Sequence, residues 1–97
     1  LGSDLQFDWD DANTGHLRRH RVTRNEFEEL LRNEPLDLDY ETETGEERYK
    51  SLGATLGGRI LVAIWTVRRG RVRAITAYPA TMGLRTLYLQ QQHRGER

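Results

Sequence analysis

The segment from Arg59 to Tyr78, RILVAIWTVRRGRVRAITAY, restricts the fold more than any other part of the chain. It holds the longest apolar run, Ile60 to Trp65, then Arg68-Arg69-Gly70, then a second β-rich stretch from Val72 to Tyr78. Two β-rich stretches around a Gly-containing turn predict a β-hairpin. With Arg69-Gly70 as the two-residue turn, Val67 faces Val72, Trp65 faces Ala74 and Ile64 faces Ile75, so apolar groups meet across the pair. The first strand is apolar on both faces, because Ile60, Val62 and Ile64 alternate with Leu61, Ala63 and Trp65. That pattern marks a central strand covered above and below. In the second strand Arg71 and Arg73 share a face with Ile75, while Val72, Ala74 and Thr76 take the other. One end of a well-buried sheet is therefore expected to carry several guanidinium groups.

Ninety-seven residues suit one domain over 1–97 with a single modest core. The chain has no cysteine, which excludes disulfides, thiolate metal sites and a thiol nucleophile. No apolar run approaches the roughly 18 residues that span a bilayer. The first residues do not read as a signal peptide, so a cytoplasmic protein without membrane segments is expected. Leu1-Gly2-Ser3 reads as the scar of a cleaved expression tag and is set aside, and His93 to Arg97 are expected to fray. The net charge of zero conceals a polar chain: residues 1–47 hold five Arg against fourteen Asp and Glu, residues 48–97 ten Lys and Arg against Glu96 alone. Such separation can create a basic surface that holds phosphates, or the two halves can neutralise each other on folding.

Along the chain, Leu5 to Trp9 alternates apolar and polar residues and reads as a short strand with Phe7 and Trp9 inward. Asp10 or Asp11 can cap a helix over about residues 11–20, on which His16 and His20 share a face beside Arg19. Thr23 and Glu26 have capping-box spacing, and Val22 and Phe27 form the ends of a hydrophobic staple. They predict a second helix with Phe27, Leu30 and Leu31 buried, ending near Asn33 before Pro35. Leu36 to Tyr40 reads as a strand with Leu36, Leu38 and Tyr40 inward. Glu41 to Glu47 reads as an acidic, mobile turn. Arg48 to Gly53 reads as a further strand, and Thr55 to Gly58 as the turn into the central hairpin. Pro79 ends the sheet before a last helix with Leu84, Leu87, Tyr88 and Gln91 on one side. The expected class is α+β, helices packed on an antiparallel meander.

These segments resemble the BrnT-type toxins, small bacterial ribonucleases with a RelE-like fold. The matching motifs are Phe7-Asp-Trp-Asp10, Asn13-x-x-His16-Leu-x-Arg-His20-x-Val-Thr23, Glu47-Arg-Tyr-x-x-Leu-Gly53, Gly58-Arg-Ile-Leu-Val62 and Val72-Arg-Ala-Ile-Thr-Ala-Tyr-Pro-Ala80, with Tyr88 beyond. The likeness covers nearly the whole chain, and order and spacing carry it. It departs from the family where many members have Gly at the position of Arg21 and Arg near that of Tyr78. The usually charged last helix here holds Met82, Gly83, Leu84, Thr86 and Leu87, with Arg85 retained. The resemblance implies a toxin of a type II toxin–antitoxin pair, an RNA substrate, an inhibiting antitoxin of ribbon-helix-helix type, and no metal or other cofactor. It leaves room for a homodimer.

Metal-free RNA cleavage needs a base for the 2′-OH, an acid for the leaving oxygen and donors for an extra negative charge. Arginine suits the last task through its planar, permanently charged fork, and Arg48, Arg59 and Arg73 lie on neighbouring predicted strands. Each could instead pair with the acidic first half. Imidazole titrates nearest neutral pH, so His16 or His20, with Tyr78, are the acid–base candidates; a histidine here can equally serve a structural bond. Arg19, Lys50, Arg71 and Arg85 are candidates for holding RNA. An i, i+4 His pair can bind a metal, but no third ligand is indicated. Tyr40, Tyr49, Tyr78, Trp9 and Trp65 can stack bases, although Trp9 and Trp65 are more simply core residues. Beside an active nuclease stand two alternatives: an inactive member that binds proteins, and an RNA binder without cleavage.

Overall fold

The computed structural model describes residues 4–43 and 45–95. Its elements are α1 (Asp11–Arg18), α2 (Arg24–Arg32), β1 (Leu36–Glu43), β2 (Glu46–Ala54), β3 (Ile60–Arg68), β4 (Arg71–Pro79) and α3 (Met82–Gly95). The strands form one antiparallel meander in the order β1-β2-β3-β4. The class is α+β as expected, with β3 in the interior of the sheet.

Both N-terminal helices start on reciprocal caps. Asp10 accepts the Asn13 N–H while Asn13 accepts the Asp10 N–H, each at 2.9 Å. Thr23 and Glu26 make the same exchange at 3.1 Å. Leu17, Val22, Phe27, Leu30 and Leu31 then pack on Leu61, Ala63, Val72, Ala74 and Ala77, forming the core on one side of the sheet. On the other side Leu52, Ile60 and Val62 meet Tyr88 of α3, with Leu36, Leu38, Tyr78 and Leu84 around them. The apolar doubling of β3 follows from these two cores.

At Gly53 α2 approaches the sheet closely: a Cβ there would stand 2.9 Å from the Leu30 carbonyl oxygen. Gly53→Ala is expected to destabilise the protein by about 1–3 kcal/mol, read as a lowered denaturant midpoint with unchanged slope.

Several local expectations are corrected. Leu5 to Trp9 is not a strand; Phe7 alone bridges Val72 in parallel, because the chain turns into α1 right after Asp10. Phe7 and Trp9 do point inward, edge-on to Phe27 at centroid distances of 6.4 and 5.6 Å. Helix α1 stops at Arg18, and the chain turns through Arg21 at φ 56°. His20 therefore lies outside the helix and does not share a helical face with His16. Residues 41–43 and 46–47 of the acidic stretch lie in the arms of the β1–β2 hairpin, since Glu41 pairs with Arg48 and Tyr40 with Tyr49. A register shift between Asp37 and Asp39 breaks the alternation of β1, so Leu36 and Leu38 join the α3-side core while Tyr40 is 51% exposed. Leu87 is also exposed. Residues 93–95 continue α3, whereas 1–3, 96 and 97 lie outside the described residues.

Candidate active site

The hairpin turn and its first pairs form as expected: Arg69 and Gly70 have φ 55° and 77°, Val67 faces Val72 and Trp65 faces Ala74. The next pair does not. Ile64 faces Thr76 and not Ile75, because a β-bulge shifts the register after Trp65. This one extra residue reverses the alternation of β4. Without it, Tyr78 would fall on the same side as Val72 and Ala74. With it, Ala77 joins those two in the helix-side core, while Tyr78 turns to the α3 side. By the same alternation Arg71, Arg73, Thr76 and Tyr78 share one face.

Across the strands that face continues in rows. Tyr78, Val62 and Leu52 form one row beside α3; Thr76, Ile64 and Lys50 form the next; Arg73 and Thr66 follow, with Arg48 beside them by alternation. Lys50 and Arg48 line a cavity of 280 Å³ with Asp39, Glu41, Tyr49 and Ile64. The bulge thus places a phenol and a set of cations on one partly uncovered surface.

His20 meets Tyr78 at the margin of this surface, with ring centroids 5.9 Å apart and planes inclined by 61°. The turn that ends α1 makes this contact, since the His20 N–H donates to the Leu17 carbonyl at 3.0 Å and the Val22 N–H to the same carbonyl at 3.1 Å. Arg59 stands next to that turn. Its Nη1 donates to the Arg21 carbonyl at 2.9 Å and to both Glu26 oxygens at 2.8 and 2.9 Å. His16 is exposed on α1 and is not brought to Tyr78; its imidazole has no ring or hydrogen-bond partner among the described residues.

The arginines are not gathered into one cluster. Arg73 donates through Nη1 to Asp8 at 2.9 Å and through Nη2 to Asp10 at 2.8 Å. Arg48 holds Glu46 through Nε at 3.3 Å, and Arg59 is held on the helix side. The acidic first half of the chain thus neutralises part of the basic second half. The side chains of Arg19, Lys50, Arg71 and Arg85 have no hydrogen-bond or ion-pair partner among the described residues. Arg19 ends α1 and Arg85 lies on α3.

Electrostatics follow from these pairs. The Asn13 backbone N–H, and then the Arg73 guanidinium, hold the Asp10 carboxyl below its ordinary value. Burial pushes Glu26 up, but the Thr23 N–H and the Arg59 guanidinium outweigh it and leave the carboxyl lowered. A lowered folded-state pKa gives stability that is present above the ordinary carboxylate value and is lost as pH falls through the lowered one. Acidification below about pH 4 is therefore expected to loosen the N-terminal segment, seen as a change in Trp9 fluorescence. Asp10→Asn, which keeps a cap but no charge, should flatten that acid transition.

Tyr40, Tyr49 and Trp65 form a stack on the helix side of the sheet, with centroid spacings of 5.1 and 4.4 Å. The two tyrosine hydroxyls donate to Glu47 at 2.8 and 3.4 Å, and burial, then the Glu47 charge, raise the Tyr49 pKa. Among the described residues no group of three or more His, Asp or Glu could hold a metal ion, and no helix is long and apolar enough to cross a membrane. Sequence reasoning missed the bulge and the capping role of Asn13; the Asp10-x-x-Asn13 spacing carried the second signal.

Residues 9–83 match the family model described as ribonuclease toxin, BrnT, of type II toxin-antitoxin system. No curated protein matches the chain.

Proposed function

The chain belongs to the BrnT family of ribonuclease toxins of type II toxin–antitoxin systems, and from that premise we propose that it cleaves RNA without a metal ion, by attack of the ribose 2′-OH on the adjacent phosphate. The observation that supports this best is the contact of His20 with Tyr78 at the margin of the cationic face. His20 takes the 2′-OH proton, a 2′-O–P bond forms, the bond from phosphorus to the 5′ oxygen breaks, and Tyr78 gives its proton to that oxygen. The products are a 2′,3′-cyclic phosphate and a free 5′-OH.

Lys50, in the row beside Tyr78, meets the charge that develops on the phosphoryl oxygens. Arg48 and Arg71 hold the strand further along the same face, with Arg19 and Arg85 at its borders. Arg73 acts chiefly as a positioning residue, because its two carboxylate partners fix the segment before α1 against β4. Arg59 positions the His20 turn through the Arg21 carbonyl. His16 has no step in this scheme. The family implies an antitoxin partner; a ribbon-helix-helix antitoxin in the cytoplasm that covers this face would exclude RNA.

A second reading rests on a specific observation: Arg48, Arg59 and Arg73 each already bind a carboxylate. That arrangement suits a protein-binding member without catalysis. Purified protein incubated with single-stranded RNA in the presence of a chelator separates the two. Fragments ending in cyclic phosphate are expected; intact RNA, together with harmless expression in the absence of an antitoxin, would establish the second reading.

A further inference from the structure

The β3–β4 hairpin ends in Arg68-Arg69-Gly70-Arg71, three guanidinium groups in four residues. All three arginines are exposed, and none of their guanidinium groups has a hydrogen-bond or ion-pair partner among the described residues. This sets them apart from Arg48, Arg59 and Arg73. Acids do lie nearby, on the adjacent β1–β2 hairpin, and a 450 Å³ cavity between the two hairpins is lined by Glu46, Glu47 and Arg68 among others. Those acids are engaged elsewhere: Glu46 holds Arg48, and Glu47 takes the hydroxyls of Tyr40 and Tyr49. The positive charge of the tip is left facing solvent.

The backbone adds an independent observation. Arg69 sits at φ 55°, a left-handed conformation that costs an L-residue with a side chain more than it costs Gly. A turn with two positive φ angles is best served by Asn-Gly. The chain instead carries a long cation at the apex of an exposed turn, a strained choice of the kind that functional positions retain.

Position gives the tip its ligand. Arg68 pairs with Arg71, and by alternation both fall on the face that carries Arg73, Thr76 and Tyr78. The bulge uses up one residue, so Tyr78 and Arg71 are six strand steps apart, about 20 Å at ~3.3 Å per residue. A polymer with one negative charge per repeat can occupy both ends of that track, and a small anion cannot. We infer that the Arg68-Arg69-Arg71 tip is a remote phosphate subsite that grips the backbone of single-stranded RNA while the scissile bond lies at Tyr78. The inference rests on the RNA-cleaving reading for the nature of the polymer.

The test uses Arg68→Gln, Arg69→Gln and Arg71→Gln together, which keep bulk and remove charge. Binding of a long unstructured RNA is measured in a His20→Ala background, so that it does not depend on cleavage. The triple substitution is expected to weaken binding on the order of tenfold at ~50 mM salt and to reduce the slope of log affinity against log salt by about 2, at ~0.7 per phosphate. In the background with His20 intact, Arg68→Gln with Arg69→Gln, Arg71 kept, is expected to raise KM for long RNA and leave cleavage of a dinucleotide unchanged, because one phosphodiester cannot reach from Tyr78 to the tip. Arg69→Asn alone should raise the melting temperature while weakening RNA binding, which a folding defect could not do. Unchanged affinity and salt slope would overturn the inference even if cleavage is confirmed. Loss of antitoxin binding with RNA binding intact would assign the tip to the protein partner and overturn it equally. Absence of cleavage, with RNA binding lost as described, would leave the subsite standing and remove only the nuclease reading.

Discussion

Replacing His20 by Ala is expected to slow RNA cleavage by about 10²–10⁴-fold, the usual contribution of one positioned acid or base. His20 is exposed, so its removal should change stability by no more than about 0.5 kcal/mol. The loss of rate would then be chemical. Tyr78→Phe keeps a ring 5.9 Å from the imidazole and removes the proton donor, so it should retain stability and lose rate. His16→Ala should cleave within a few-fold of the parent, because nothing brings that imidazole to Tyr78. The measurement is single-turnover cleavage of a defined RNA at saturating enzyme. Full activity in His20→Ala would place the acid–base pair elsewhere.

The largest expected effect on stability is that of Phe27→Ala. Phe27 is fully buried at the centre of the helix-side core, edge-on to both Phe7 and Trp9. Truncating a buried Phe costs about 3–5 kcal/mol, against a total of roughly 5–15 kcal/mol for a domain. Urea denaturation should show a large fall in midpoint. The loss should reach beyond α2, because Phe27 supports both rings of the segment before α1 edge-on. Trp9 also donates to Glu28 at 2.7 Å and lies under Arg24, so its fluorescence should report the loosening before global unfolding.

How far the sequence discloses this molecule depends on whether a signal is local. The cap at Thr23, the staple of Val22 and Phe27, and the Arg69-Gly70 turn are decided by neighbours within a few residues, and all three form as read. The doubly buried β3 was legible because an alternating pattern that is apolar throughout has few other uses. The bulge at Ile75 was not legible, since Val72 to Tyr78 alternates plausibly in either phase and only packing against β3 decides. That single shift changes the face of Tyr78, so the site was less visible than the fold. The acidic stretch misled for a similar reason: the strand character of residues 41–43 and 46–47 comes from the Tyr40–Tyr49 contact and the Glu41–Arg48 pair, which join residues on opposite arms. Opposite charge in the two halves pointed to either a phosphate surface or mutual neutralisation. Arg59 and Arg73 follow the second course, while the arginines of the hairpin tip stay exposed.

The fastening of Asp8 and Asp10 by Arg73 has a consequence for the order of events during synthesis. The partners are 65 and 63 residues apart, so the segment before α1, which also packs on α2, cannot complete its docking until β4 has been made. Closing so long a loop is a late and entropically costly step. A growing chain on the ribosome thus holds the His20 turn without the strand that bears Tyr78, and the two catalytic candidates first meet only when translation of β4 is complete.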